Sequence, residues 1–127
     1  MRQLKILLVD DSPVFMESAH AVLASVPCVA SIDRASSGPD ALAQVGHVNP
    51  DLVLTDIMMP EMSGFELIRS LRARDAPPCI VAVTLHDGAE FRTAARRSGA
   101  DGFISKREFG QVARELVSHL ADAGDGR

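Results

Sequence analysis

A chain of 127 residues with net charge −4, 46% hydrophobic and 24% charged residues has the size of one domain and enough apolar mass for one core. Its acids and bases are interspersed, so no basic stripe argues for direct nucleic-acid binding by this segment. The longest apolar runs, Ile6-Leu7-Leu8-Val9 and Cys79-Ile80-Val81-Ala82-Val83, are far too short to cross a bilayer, and the first meets Asp10 and Asp11 too early for a signal peptide; no membrane association is expected, and a cytoplasmic location is the default.

Leu4 to Val9 reads as a strand buried on both faces, the pattern of a parallel sheet. Asp10-Asp11-Ser12-Pro13 breaks it, with Ser12 suited to a helix N-cap and Pro13 to the first helical position. Phe15, Ala19, Val22 and Leu23 recur at helical spacing, so a helix is expected to about Ser25, before Pro27. Val29 to Ile32 is a second short strand. Ser36-Ser37-Gly38-Pro39 opens a second helix carrying Ala41, Leu42 and Val45, which Gly46 is expected to end. After the Asn49-Pro50 turn, Asp51 to Thr55 is the third strand. Phe65, Leu67, Ile68 and Leu71 mark a third helix, broken at Ala76-Pro77-Pro78. Cys79 to Thr84 is the fourth strand, Gly88 to Arg97 a fourth helix closed by Ser98-Gly99, and Gly102 to Ser105 a brief fifth strand. Ser105 and Glu108 match a capping box, and Phe109, Val112, Ala113, Leu116, Val117 and Leu120 give the last helix its apolar face. The domain is expected to cover 1–121, with 122–127 a disordered tail. Cys28 and Cys79 sit in apolar strand-like runs and read as buried free thiols. No Cys/His spacing of the metal-binding type is present.

Strand and helix thus alternate five times along the chain. Such a pattern predicts an α/β fold, a parallel sheet with helices on both faces and right-handed crossovers. In a parallel sheet every strand's carboxyl end points to one edge, where ligands bind in open α/β folds. That edge should collect Asp10 and Asp11 from strand one, Asp56 from strand three, Thr84 from strand four, and Ser105 and Lys106 from strand five. Asp33, expected at the end of strand two, would lie nearby or to the side. Adjacent carboxylates repel one another. A shared proton relieves this, and so does a hard divalent cation such as Mg²⁺, which takes oxygen ligands. Lys106 adds a counter-charge. Between cation and ammonium, an anion could be held against Asp56, and carboxylates are known nucleophiles towards phosphoryl groups.

The segments Leu8-Val9-Asp10-Asp11-Ser12-Pro13, Asp56-Ile57-Met58-Met59-Pro60 with Ser63-Gly64, Val83-Thr84, and Gly99-Ala100-Asp101-Gly102-Phe103 leading to Ser105-Lys106 resemble the receiver domain of two-component response regulators, over about Lys5 to Leu120. The resemblance implies a (βα)₅ flavodoxin-like fold with strand order 2-1-3-4-5. It implies that Asp56 accepts a phosphoryl group from a phosphohistidine on a sensor histidine kinase or histidine phosphotransfer protein. It further implies that Asp11, Asp56 and the Met58 backbone carbonyl bind Mg²⁺ directly, with Asp10 acting mainly through water. Thr84 and Lys106 would contact the phosphoryl group, and Thr84 and Phe103 would form the conformational switch. The chain would control a partner or output rather than act as an enzyme on an external substrate; its chemistry would be self-catalysed phosphotransfer and slow autodephosphorylation.

Two positions depart from the family pattern. Leu85 follows the switch threonine where a small residue is usual, and is expected to narrow access to Asp56. Arg107 follows the lysine where proline is usual, so a trans bond is expected. Met58 and His86 flank the phosphoryl position; Met58 is expected to shield it from water, and His86 to orient water or be solvated. Met16 is expected on the exposed face of the first helix as part of a docking patch. Arg92, Arg96, Arg97 and Arg107 would suit an acidic partner or self-association as a homodimer. An unphosphorylated interaction module with the same fold is the alternative that Leu85 and Arg107 leave open. A flavin-binding protein lacks support, because acids replace the phosphate-cradling loop after strand one.

Overall fold

The first strand, β1 (Leu4–Val9), is the centre on which the other elements assemble in the computed structural model, which describes residues 2–86 and 88–125. In chain order follow α1 (Pro13–Ala24), β2 (Val29–Ala35), α2 (Gly38–Val48), β3 (Leu52–Thr55), α3 (Gly64–Arg72), β4 (Cys79–Thr84), α4 (Ala89–Ser98), β5 (Gly102–Ser105), a 3₁₀ turn (Lys106–Glu108) and α5 (Phe109–Asp125). The strands form one parallel sheet in the order β2-β1-β3-β4-β5. The expected (βα)₅ flavodoxin-like architecture is the observed one.

Successive strand residues face opposite ways, and this divides the core in two. Ile6, Leu8, Leu52 and Leu54 pack under α1 and α5. Leu7, Val9, Val53 and Ile80 pack under α2, α3 and α4. The two layers account for the near-continuous apolar runs of the inner strands, which bury both faces. Not all helices are held equally. Helix α3 buries Leu67, Ile68 and Leu71 and is capped by the Ser63 hydroxyl, whereas α4 buries only Ala95 and Ser98 and has no side-chain cap.

Several elements differ from the sequence expectation. Strand β2 runs on to Ala35, because an edge strand tolerates polar residues such as Ser31, Asp33 and Arg34. Asp33 therefore pairs with Leu7 inside the sheet and does not reach the carboxyl edge. Gly46 lies within α2. The helix ends instead at Asn49, whose φ of 52° is left-handed and whose N–H donates to Val45 O; asparagine tolerates that conformation, and Pro50 cannot continue a helix. Met16 is buried with Ala19 and Leu23, since starting the helix at Pro13 puts these three on the core face. Val14, 82% exposed, is the apolar residue that faces solvent. The last helix begins with a 3₁₀ turn, in which the Ser105 hydroxyl accepts from Arg107 N–H at 3.4 Å, in place of the expected capping box. It continues to Asp125 rather than ending at 121, because Ala121 extends the buried stripe and alanine favours the helix; residues 126 and 127 lie outside the described residues. Cys28 and Cys79 are free, with Cys79 only half-buried. The desolvation of Cys79 pushes its thiol up to about 11, which makes it unreactive.

The loop from Asp56 to Ser63 folds back on the end of β3. Asp56 N–H donates to Val9 O at 2.9 Å and Gly64 N–H to Ile57 O at 3.0 Å. A β-carbon on Gly64 would stand 2.0 Å from the Asp56 carbonyl oxygen and 2.5 Å from Ile57 Cα. Gly64 is thus the residue that lets α3 start directly against the Asp56 backbone. Gly64→Ala should cost about 3 kcal/mol by overpacking against backbone that cannot retreat, and urea denaturation measures it.

Candidate functional site

Three strand ends and two helix starts meet at the carboxyl edge. Asp10 is 3% exposed. Its N–H donates to Ala35 O, and its Oδ1 accepts from Ser12 N–H at 2.9 Å. Ser12 in turn caps α1, its hydroxyl accepting from Phe15 N–H at 3.3 Å. The turn that starts the helix therefore also aims the carboxylate. Asp56, also buried, accepts at Oδ1 from Ile57 N–H at 2.8 Å and Met58 N–H at 3.4 Å. Asp11 stands exposed beside them. One carboxylate oxygen from each of Asp10, Asp11 and Asp56 lies within 4.8 Å of the others.

Lys106 enters this cluster from the end of β5. Its ammonium is 2.7 Å from Asp10 Oδ2 and 3.4 Å from Asp56 Oδ2. Asp10 Oδ2 meets this charge but accepts no well-aligned hydrogen bond among the described residues. Burial raises the Asp10 carboxyl above its ordinary 3.8, and the Asp56 charge adds to the rise; the Lys106 ammonium and the Ser12 N–H pull the other way. Two buried carboxylates facing one ammonium leave the site short of positive charge. A buried acceptor with unused capacity, a second carboxylate and a third, exposed one form an all-oxygen donor set of the kind Mg²⁺ takes. The residues present fit such an ion.

The remaining candidates flank this centre. Thr84 is fully buried at the end of β4, level with Ser105 of β5, and its hydroxyl accepts from His86 N–H at 3.1 Å. Met58 and Leu85 are 50% and 56% exposed. His86 is exposed, its ring tilted against Phe91 with centroids 5.3 Å apart. Phe103 is half-buried on β5, with the Arg92 guanidinium 4.7 Å above its ring. The bond between Lys106 and Arg107 is trans, as expected. The structure thus joins Asp10, Asp11, Asp56 and Lys106 in one cluster, places Thr84 at a neighbouring strand end, and keeps Phe103 on the α4 side. The aromatic pair beside Lys106 was not anticipated as part of the site. Lys106 Nζ lies 4.5 Å from the Phe15 ring centroid, and Phe15 meets Phe109 edge-on. Phe15 reads from sequence only as a core position; the available signal is an aromatic residue one helical turn after Ser12.

The response regulator receiver domain model matches residues 6–119, and the chain belongs to that family. A protein-glutamate methylesterase/protein-glutamine glutaminase of Alkalilimnicola ehrlichii is 32% identical over 98% of this chain but only 34% of its own length. The transcriptional regulatory protein DegU of Brevibacillus brevis is 29% identical over 96% of this chain and 52% of its own. The chain therefore spans about a third to a half of these relatives' length. Among solved structures, the signal receiver domain of NarL from Mycobacterium tuberculosis superposes with a TM-score of 0.83 at 27% identity, over 100% of both chains. The response regulator domain of Thermotoga maritima CheB shares the fold, with a TM-score of 0.81 at 24% identity over 95% of this chain and 98% of its own. Receiver domains generally bind Mg²⁺ at such an acidic pocket.

Because the native state raises the Asp10 carboxyl, it holds that proton more tightly than the unfolded chain does, and stability falls as pH rises above 3.8. Asp10→Asn should therefore raise the thermal midpoint at neutral pH in Mg²⁺-free buffer by a few degrees. The gain should shrink towards zero as pH falls towards 3.8, which thermal melts across pH will show.

Proposed function

We propose that this chain is a phosphorylatable switch, in which Asp56 accepts a phosphoryl group from a phosphohistidine on a sensor histidine kinase or histidine phosphotransfer protein. The observation that carries this reading is the Lys106 ammonium held against the Asp10 and Asp56 carboxylates in an acidic cluster at the sheet edge. An Asp56 carboxylate oxygen attacks phosphorus; a P–O bond forms, the N–P bond breaks, and the imidazole leaves with the electron pair. The Ile57 and Met58 N–H groups hold the Asp56 carboxylate in one orientation while Lys106 balances charge on the incoming oxygens. Mg²⁺, held directly by Asp11, Asp56 and the Met58 backbone carbonyl and through water by Asp10, would neutralise further charge on the phosphoryl group.

The Thr84 hydroxyl accepts from His86 N–H, and phosphoryl oxygens on Asp56 would accept its O–H in a charge-assisted bond. Differential contacts of this kind are what shift a two-state equilibrium. Inward rotation of Phe103 would break its stacking with Arg92 and so couple the site to α4. Three large apolar side chains stand well exposed among the described residues: Val14, Met58 and Leu85. All three follow the carboxyl ends of strands at the Asp56 edge, which suits a macromolecular donor that covers the site. Arg92 and Arg96 line a surface groove beside Phe103, which suits an acidic output partner or a second copy. The output lies in such a partner or in a further segment, as in the longer relatives. A cytoplasmic setting goes with a kinase donor.

Incubation with acetyl phosphate and Mg²⁺ should add one phosphoryl group by intact mass, and Asp56→Asn should take up none. A wild-type chain that stays unlabelled, and whose spectrum does not respond to beryllofluoride, would favour the unphosphorylated interaction module. Met58→Asn should shorten the acyl-phosphate half-life several-fold, by replacing an apolar shield with a group that can orient water; timed loss of the labelled mass reads it.

A further inference from the structure

We infer that Phe15 is a positioning residue for Lys106, its ring holding the ammonium beside the Asp56 carboxylate. The inference rests on the proposed role of Asp56 and adds a part to that site. Lysine carries its charge on a flexible four-carbon stem, and charge alone does not fix where that stem points. Here the nearer anion is Asp10, at 2.7 Å, while Asp56 is 3.4 Å away. Charge alone does not fix its place between the two anions. The third contact is the Phe15 ring face, 4.5 Å from Nζ to the centroid and well inside the range of cation–π attraction. It is the one uncharged member of the set, so it persists when a cation or phosphoryl group engages the carboxylates.

The ring itself is fixed. Phe15 lies in the first turn of α1, its N–H bonded to the capping Ser12 hydroxyl, and it meets buried Phe109 edge-on at 5.2 Å and 77°. Phe109 opens α5 three residues after Lys106. The platform and the lysine are thus tied through the same chain turn. That turn has no proline ring after the lysine; Arg107 stands there, its N–H donating to the Ser105 hydroxyl at 3.4 Å. The aromatic pair supplies the rigidity that a proline would otherwise give. Leucine keeps apolar bulk but loses both the ring face towards Lys106 and the edge-on contact with Phe109, so the Lys106→Met background is what separates the two accounts.

The test compares Phe15→Leu and Phe15→Tyr with wild type in the full chain, alone and in a Lys106→Met background. Phe15→Leu should slow acetyl-phosphate labelling about threefold to tenfold, while Phe15→Tyr stays near wild type. In the Lys106→Met background, Phe15→Leu should have no further effect. The ε-methylene protons of Lys106 should lie upfield in the NMR spectrum and move downfield in Phe15→Leu, whether or not the protein is phosphorylated. An equal slowing in both backgrounds would make Phe15 a packing residue and overturn the inference. So would wild-type labelling by Phe15→Leu, or an unchanged ε-methylene shift. Failure of the Asp56 reading would look different: Asp56→Asn would label as wild type does, with the ε-methylene signature intact.

Discussion

One ammonium facing two buried carboxylates sets the terms for this molecule. Lys106 sits between Asp10 and Asp56 at the edge where the inner strands end. Burying a carboxylate is costly unless it is paired, and a second carboxylate alongside raises the cost. Burial, and then the neighbouring Asp56 charge, raise the Asp10 carboxyl even with Lys106 beside it. The strands on either side are apolar on both faces and packed under helices, so the rest of the fold supplies the stability that this edge gives up. A site short of positive charge is a site with affinity for it.

How much of this was legible in the chain follows from where local signals dominate. Leu4–Val9, Cys79–Thr84 and Gly102–Ser105 each meet an acid or a proline at one end, Asp10, Pro78 and Asp101, and the strands run over the expected ranges. The site residues were legible because a parallel sheet gathers strand ends from distant positions, a property of topology rather than of side-chain detail. Burial overrode local pattern elsewhere. Gly46 looked like a stop, but the helix had another turn to bury and a better terminator in Asn49. Met16, expected on the exposed face, is buried because the helix phase depends on where Pro13 starts it. Asp33 lies short of the strand end, to the side of the site, because an edge strand can carry polar residues that an inner strand cannot and β2 runs on to Ala35. The Phe15 contact with Lys106 spans elements far apart in sequence, and helical periodicity has nothing to say about it.

Membership of the receiver family gives the chain a common scaffold, and the departures show where it is individual. Leu85 and Met58 place apolar bulk at the rim of a polar site. Arg107 removes a rigid residue from the turn that carries the lysine, and the Phe15–Phe109 pair lies beside that same turn. In this chain the core is packed between sheet and helices, not at the rim where Leu85, Met58 and Arg107 stand.

The two helices that border the acidic edge are unequal anchors. Helix α3 begins hard against the Asp56 carbonyl and sinks three large side chains into the core; α4 sinks two small ones and starts without a cap. Helix α4 is therefore the more lightly anchored bank of the cleft, and a new charge at the centre would meet less resistance there than at α3.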